Sequence, residues 1–218
     1  MKVLITGADG MLGSSICREA LSQGYEVRVM VLPGRTVSVL EGLDLTYCYG
    51  NLLDPESLYQ AVDGCDYVIN VAASTQMWPR RSEVIWKVNY HAVEHLVEAS
   101  KRFNVKRFVQ IGTANSFGHG SISEPGNELT PFNGGAYKMD YVDSKYKAQS
   151  YIIDQCKTGQ ISGVVINPTY MIGPFDSGPS SGKMLMALFM GSLPGYTSGI
   201  KNFVASKDVA LAAVNALT

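Results

Sequence analysis

The stretch "TGADGMLG" (residues 6–13) decides the fold, because it joins a short apolar run, "KVLIT", to a segment with helical periodicity. Gly7 permits a tight turn, Gly10 lets the backbone approach a pyrophosphate, and Gly13 lets the helix pack closely on a sheet. The free amides and the dipole at the start of the helix favour phosphate. The sequence therefore predicts a dinucleotide-binding turn. Its predicted cofactor contacts are Gly7, Gly10, Met11, Leu12 and Gly13.

Short β-branched runs alternate with longer helical patterns along the rest of the chain. Strands are predicted at 2–6, 26–31, 44–49, 67–70, 107–112 and 162–167. Helices are predicted at 11–23, 55–63, 82–104 and 138–157. Such alternation implies right-handed crossovers and a parallel sheet. The predicted fold class is α/β, a doubly wound parallel sheet of the Rossmann type, with substrates bound at its carboxyl edge.

Two units are expected along the chain. Residues 1–168 form the nucleotide-binding domain, and residues 169–218 form a partial substrate lobe with elements that return to the sheet. The chain stops after a final short strand and helix, "NFVASKDVALAAVNALT" (202–218), so a naturally short form and a truncated one both remain open. Four apolar residues are expected to pack in the core or in the lobe: Met184, Met186, Leu188 and Phe189.

Composition favours a globular protein that acts on small molecules. The chain is 46% hydrophobic and 17% charged, with a formal net charge of −1. This balance gives no case for nucleic acid or an anionic membrane, and without a signal peptide or a long apolar run the expected location is the cytoplasm. No metal is predicted, because the cysteines and histidines are scattered: Cys17, Cys48, Cys65, Cys156, His91, His95 and His119.

The end of the second strand bears on which dinucleotide is bound. NAD-binding proteins usually place Asp or Glu there, against the ribose 2′-hydroxyl. This chain has Val31 and Leu32 instead, followed by Arg35. Arg35, or Arg28 on the strand itself, could meet a 2′-phosphate. NADP is the predicted cofactor, and NAD remains possible.

Several further segments resemble the extended short-chain dehydrogenase/reductase family, which includes dihydroflavonol reductase-like enzymes and nucleotide-sugar epimerases and dehydratases. The similar segments are "GNLLDPESLYQAV" (50–62), "CDYVINVAAST" (65–75), "KVNYHAVEHLVEAS" (87–100), "IGTANSFG" (111–118) and "INPTYMIGP" (166–174). The resemblance implies that Asn51 and Leu52 flank the adenine and that the small Ala72 and Ala73 let the cofactor pass. It adds Pro168 to the cofactor contacts, with Asn167 where the family often has Arg. Asn89 would act either as a tie to neighbouring backbone or in a proton relay.

The resemblance also gives a role to "YVDSK" (141–145). Tyr141 and Lys145 are four residues apart and share a helical face. With Thr113 they match the catalytic residues of the family, and we refer to these three as the Thr–Tyr–Lys set. Lys145 would hold the cofactor ribose and lower the pKa of the phenol. Tyr141 would then transfer a proton to or from a substrate oxygen to which Thr113 hydrogen-bonds.

The first functional hypothesis is an NAD(P)-dependent oxidoreductase that reduces a carbonyl of a small or medium apolar substrate. Met77 and Trp78 in "TQMWP" (75–79) would supply apolar lining. The alternatives are a nucleotide-sugar epimerase or dehydratase with tightly bound NAD, and a non-catalytic NADP-binding sensor or scaffold.

A homodimer is expected through the helices at 82–104 and 138–157, which pack as a four-helix bundle in the family. The helices carry more apolar residues than packing against one face of the sheet requires, including Val93, Leu96 and Val97. Such surplus apolar surface is typical of an interface.

Overall fold

A six-stranded parallel sheet forms the centre of the computed structural model, which describes residues 1–35, 37–176, 178, 180–193, 195 and 199–218. The strands are β1 (Lys2–Thr6), β2 (Glu26–Val31), β3 (Thr46–Tyr49), β4 (Tyr67–Asn70), β5 (Arg107–Ile111) and β6 (Gly163–Ile166). Their order is β3-β2-β1-β4-β5-β6, and every neighbouring pair is parallel. The order reverses between β1 and β4, so the predicted doubly wound α/β fold is confirmed.

The helices are α1 (Met11–Ser22), α2 (Pro55–Val62), α3 (Glu83–Trp86), α4 (Ala92–Arg102), α5 (Asp140–Lys157), α6 (Gly182–Phe189) and α7 (Ser206–Asn215). A π turn over Lys87–His91 joins α3 to α4, so the predicted helix at 82–104 is present with a widened turn in its middle. The helix predicted from residue 138 begins at Asp140, because Lys138 adopts a left-handed conformation with φ of 51°.

Two apolar clusters cover the two faces of the sheet. One joins β1, α1 and α7, and the other joins α2, α4 and α5 to the opposite face. Val93, Leu96 and Val97 belong to the second cluster and are fully buried within the monomer. They are therefore core residues, and the argument that they are surplus to the sheet is wrong.

The segment after residue 168 divides between two environments. A separate two-stranded parallel sheet forms from β7 (Tyr170–Ile172) and β8 (Phe203–Ala205). Helix α7 follows β8 and packs Val209, Ala213 and Val214 into the cluster around α1. By contrast, α6 buries none of its side chains, and Phe189 is 92% exposed. The expected packing of Met186, Leu188 and Phe189 is therefore wrong for the residues that the structure describes.

None of the helices in the described ranges combines the length and the apolar character needed to cross a bilayer.

Candidate active site

The phosphate loop between β1 and α1 requires glycine at two of its three positions for reasons of space. Gly7 has φ of 63°, and a Cβ there would lie 2.7 Å from the Cα of Ala72 in the loop after β4. A Cβ on Gly13 would overlap the carbonyl oxygen of Gly7. A Cβ on Gly10 would meet only that same oxygen, at an ordinary 3.5 Å. Packing thus requires glycine at positions 7 and 13, whereas a side chain at position 10 would point into open space.

The start of α1 fits an anionic ligand. Its N-cap residue is Gly10, which supplies no side-chain acceptor, and the first turn contains no acidic residue. The first-turn amides, including those of Met11 and Leu12, have neither a carbonyl acceptor within the helix nor a side-chain cap. A 12-residue helix also has a substantial dipole. This end of α1 therefore suits a pyrophosphate.

The two arginines considered for the 2′-phosphate have different surroundings. Arg28 donates from one guanidinium nitrogen to the carbonyls of Ala61, at 2.9 Å, and Asp63, at 2.6 Å, where it caps the end of α2. These contacts occupy its guanidinium in holding α2, so Arg28 is not a candidate for binding the 2′-phosphate. Arg35 lies exposed after a turn in which its amide donates to Leu32, and no described residue pairs with its guanidinium.

The residues expected to flank the adenine follow β3, and the small residues expected to let the cofactor pass follow β4. Asn51 follows β3, and its Oδ1 accepts a hydrogen bond of 2.9 Å from the amide of Leu53, which leaves one lone pair for an adenine amino group. Leu52 is half-buried beside it. Ala72 and Ala73 follow β4 and are half-buried as well, with the backbone of Ala72 against Gly7. The loops after β1 and β4 are thus in direct contact.

Thr113 is held at the end of β5 by the segment after β6. Its amide donates to Oδ1 of Asn167 at 2.9 Å, and the next amide, of Ala114, donates to the carbonyl of Pro168 at 3.0 Å. A Cβ on Gly112 would overlap Oδ1 of Asn167. Asn167 therefore positions the Thr113 backbone, a role that its spacing in the sequence did not reveal.

Tyr141 lies near the start of α5 and is half-buried. Burial raises the pKa of its phenol, and the nearby side chain of Thr113 offsets that increase in part. The structure therefore brings Thr113 and Tyr141 together. The expected lowering of the phenol pKa by Lys145 is wrong for this structure, because desolvation dominates there.

Lys145 is buried one helical turn after Tyr141, with 5% of its surface exposed. Its ammonium donates to the carbonyl oxygen of Ile111 at 2.7 Å. Burial lowers the pKa of Lys145 to about 8, since the charged form is desolvated and the acceptor that the described residues supply for it is a neutral carbonyl.

Two buried side chains anchor the helices around this site. Asn89, in the π turn, accepts from the amide of Ser74 at 2.8 Å and donates to the Ser74 carbonyl at 3.0 Å and to Oγ of Ser144 at 3.2 Å. These contacts favour the backbone tie over a proton relay. Asp140, which directly precedes Tyr141, accepts from the amide of Ser82 and from Arg81, both at 2.6 Å. The sequence pattern did not single out Asp140.

Comparison with known proteins identifies the class. A parallel sheet with a glycine-rich turn before α1 defines a nucleotide-binding α/β protein, and the chain belongs to the NAD dependent epimerase/dehydratase family, whose sequence model matches residues 3–218. The expected resemblance is confirmed. The putative dihydroflavonol 4-reductase of Synechocystis sp. is 27% identical over 215 residues, which cover 94% of this chain and 60% of that protein.

Two solved structures extend the comparison. The crystal structure of gox2253 superposes with a TM-score of 0.91 at 28% identity and covers 99% of this chain and 66% of its own. The Bordetella bronchiseptica enzyme WbmH, solved in complex with NAD⁺, superposes with a TM-score of 0.83 at 27% identity. The match covers 99% of this chain and 71% of WbmH. The chain thus spans about two thirds of the length of these proteins.

Proposed function

We propose that the chain is the nucleotide-binding part of an NADP-dependent reductase that converts a carbonyl of a small or medium apolar substrate to an alcohol. One observation carries the proposal: the Thr113 side chain is near enough to the Tyr141 phenol to influence its pKa, and Lys145 lies one helical turn further along α5. These side chains come from the end of β5 and from α5, and they lie at the carboxyl edge of the sheet, where ligands bind in such folds.

The surroundings of the Thr–Tyr–Lys set suit proton donation to a reduced carbonyl. When bound, the nicotinamide cofactor supplies the hydride. A phenol with a raised pKa keeps its proton at neutral pH, so Tyr141 is available as a general acid. Thr113 orients the substrate oxygen beside that phenol, so that the oxygen and the proton donor stay aligned for the reaction. Lys145 places a positive charge near the cofactor ribose and the developing negative charge on the substrate oxygen.

The proposed substrate is apolar. Met77 and Trp78 follow β4 on the loop that carries Ala72 and Ala73, and they are 52% and 77% exposed. A large exposed aromatic side chain is suited to contact an apolar or aromatic ligand. The name of the Synechocystis relative, a putative dihydroflavonol 4-reductase, is consistent with a reductase acting on such a compound.

The second candidate is a nucleotide-sugar epimerase or dehydratase, supported by the family description and by the NAD⁺ complex of WbmH. The two functions differ in stoichiometry, because a reductase consumes one reduced cofactor for each product, whereas an epimerase returns the hydride to its substrate. We expect NADPH oxidation, followed at 340 nm, with a panel of aryl ketones and aldehydes. Turnover of a nucleotide sugar without net cofactor oxidation would replace the proposal by the second candidate.

We further propose that the protein is a homodimer through the outer faces of α3, α4 and α5. Val84, Tyr146 and Ile153 are apolar or aromatic side chains exposed on these helices, by 60%, 37% and 37%. A second copy of the chain, related by a twofold axis, would cover these side chains. Light scattering at micromolar concentration should give twice the mass of the chain, and a monomer would refute this assembly.

A further inference from the structure

Three buried polar side chains cross the sheet beneath the candidate site. Thr6 ends β1, Asn70 ends β4, and Gln110 is next to last in β5. The parallel register pairs Thr6 with Asn70 and Asn70 with Gln110. Their exposures are 0%, 3% and 2%, so each must find hydrogen-bond partners within the protein to avoid a large desolvation cost. We name these three residues the polar row.

The hydrogen bonds of the polar row have a defined direction. Oγ1 of Thr6 accepts from the amides of Val71 and Ala72, at 3.2 Å each. The hydroxyl proton is left to donate to Oδ1 of Asn70, at 2.5 Å. That contact fixes the orientation of the Asn70 amide, whose Nδ2 donates to Oε1 of Gln110 at 2.9 Å. The amide of Gln110 is oriented in turn.

Gln110, the last residue of the polar row, donates to the same carbonyl oxygen as Lys145 does, that of Ile111. Its Nε2 donates to the carbonyl oxygen of Ile111 at 2.9 Å, and Nζ of Lys145 donates to that oxygen at 2.7 Å. A carbonyl oxygen has two lone pairs, so the two donors divide it between them. The Gln110 amide confines the ammonium to the remaining side of the carbonyl.

We infer that Gln110 is a positioning residue, which sets through the Ile111 carbonyl the place where the Lys145 ammonium is presented to the cofactor. The inference rests on the role proposed above for Lys145 and adds a residue outside the Thr–Tyr–Lys set. Since Thr6 directly precedes the phosphate loop, the polar row also connects the two halves of the cofactor site.

A double-mutant cycle tests the inference. Gln110→Met keeps the length of the side chain and removes its donor, and it is made both in the parent chain and in Lys145→Met. NADPH binding to each variant is measured by calorimetry. We expect the Gln110 change to weaken binding about threefold to tenfold in the parent and less than about twofold beside Lys145→Met. Gln160→Met, at an exposed glutamine, is the matched control and should leave affinity unchanged.

The outcomes separate this inference from the proposed function. Equal weakening in both backgrounds indicates a merely structural role and overturns the inference, as does an unchanged affinity in the parent while Lys145→Met binds more weakly. If Lys145→Met itself binds NADPH like the parent, the proposed role of Lys145 fails instead. Should Gln110→Met not fold, Thr6→Val and Thr6→Ser replace it. Thr6→Val should weaken binding more in the parent than beside Lys145→Met, because the loss of its contacts with the Val71 and Ala72 amides acts equally in both backgrounds. Thr6→Ser, which keeps the hydroxyl, should restore binding.

Discussion

The phosphate loop and the Thr–Tyr–Lys set lie at the same edge of the sheet, yet they are held by different kinds of contact. The loop is shaped largely by its own backbone, since Gly10 donates to Gly7 at 3.2 Å and Gly13 packs against that same residue; its distant contact is that of Gly7 with Ala72. The Thr–Tyr–Lys set is held by contacts distant in sequence, such as Lys145 with Ile111 and Thr113 with Asn167. It also contains a buried ammonium and a half-buried phenol. The comparison indicates that the loop is a stable part of the scaffold and that the set carries a cost in stability.

The largest expected effect is on turnover, in the Thr–Tyr–Lys set. Tyr141→Phe keeps the ring and removes the proton donor, so turnover should fall by a factor on the order of 100 to 10,000 while NADPH binding and folding stay close to the parent. Steady-state kinetics with a confirmed carbonyl substrate, together with calorimetry, measure this. A Phe variant that turns over at the parent rate would make the pairing of Tyr141 with Lys145 a coincidence of sequence.

The next effect is on stability, in the phosphate loop. Gly13→Ala should lower the free energy of unfolding by about 2–4 kcal/mol, because its Cβ would overlap the Gly7 carbonyl. Gly10→Ala is the matched control: it should cost less than about 1 kcal/mol and still weaken NADPH binding, since the methyl group faces the proposed phosphate position. Urea denaturation and calorimetry distinguish the two. Similar unfolding midpoints for both variants would remove the distinction between packing and ligand glycines.

A smaller effect of opposite sign is expected for the buried ammonium. Lys145→Met should raise the free energy of unfolding near pH 7 by about 1–3 kcal/mol, because it removes a desolvated charge whose hydrogen-bond acceptor is neutral.

The pH dependence of that effect has a definite sign. Burial lowers the pKa of Lys145 to about 8, whereas an unfolded lysine titrates near 10.4. Between these values the unfolded chain binds more protons, so the destabilisation by Lys145 shrinks as the pH rises. The advantage of Lys145→Met should therefore be full below pH 8 and decline towards pH 10. Urea denaturation along this pH series checks it, and a constant difference would show that the ammonium is not the cause.

The smallest effect concerns the choice of cofactor. Arg35→Ala should weaken NADPH binding about tenfold and leave NADH binding unchanged, because only NADPH carries the 2′-phosphate that the guanidinium would contact. Arg28→Ala is not a suitable control, since that side chain caps α2. Arg107→Ala is the control instead, because Arg107 is the first residue of β5, on the other side of β4 from β1 and β2. Equal losses for both cofactors, or tighter NADH binding by the parent, would contradict the NADP assignment.

The sequence by itself determined the six strands of the main sheet, the helices that flank it and the phosphate loop, whereas β7 and α6 were not predicted. The strands at 2–6, 26–31 and 67–70 were predicted to the residue, and all predicted bounds lie within two residues of the observed ones. These features depend on local periodicity and on glycines whose roles follow from their spacing, so neighbouring residues suffice to specify them. Tyr141 and Lys145 were also found locally, because a helix places residues i and i+4 on one face.

Only the tertiary structure decided how these residues are held and charged. Asn167 with Thr113, Asp140 with Arg81, and the polar row from Thr6 to Gln110 all join residues more than 50 positions apart or on different strands. The structure also assigned Val93 and Leu96 to the core and Arg28 to the end of α2. Burial and hydrogen bonding depend on which distant elements meet. Burial among these elements lowers the pKa of Lys145 and raises that of Tyr141, the second opposite in direction to the expectation from the sequence.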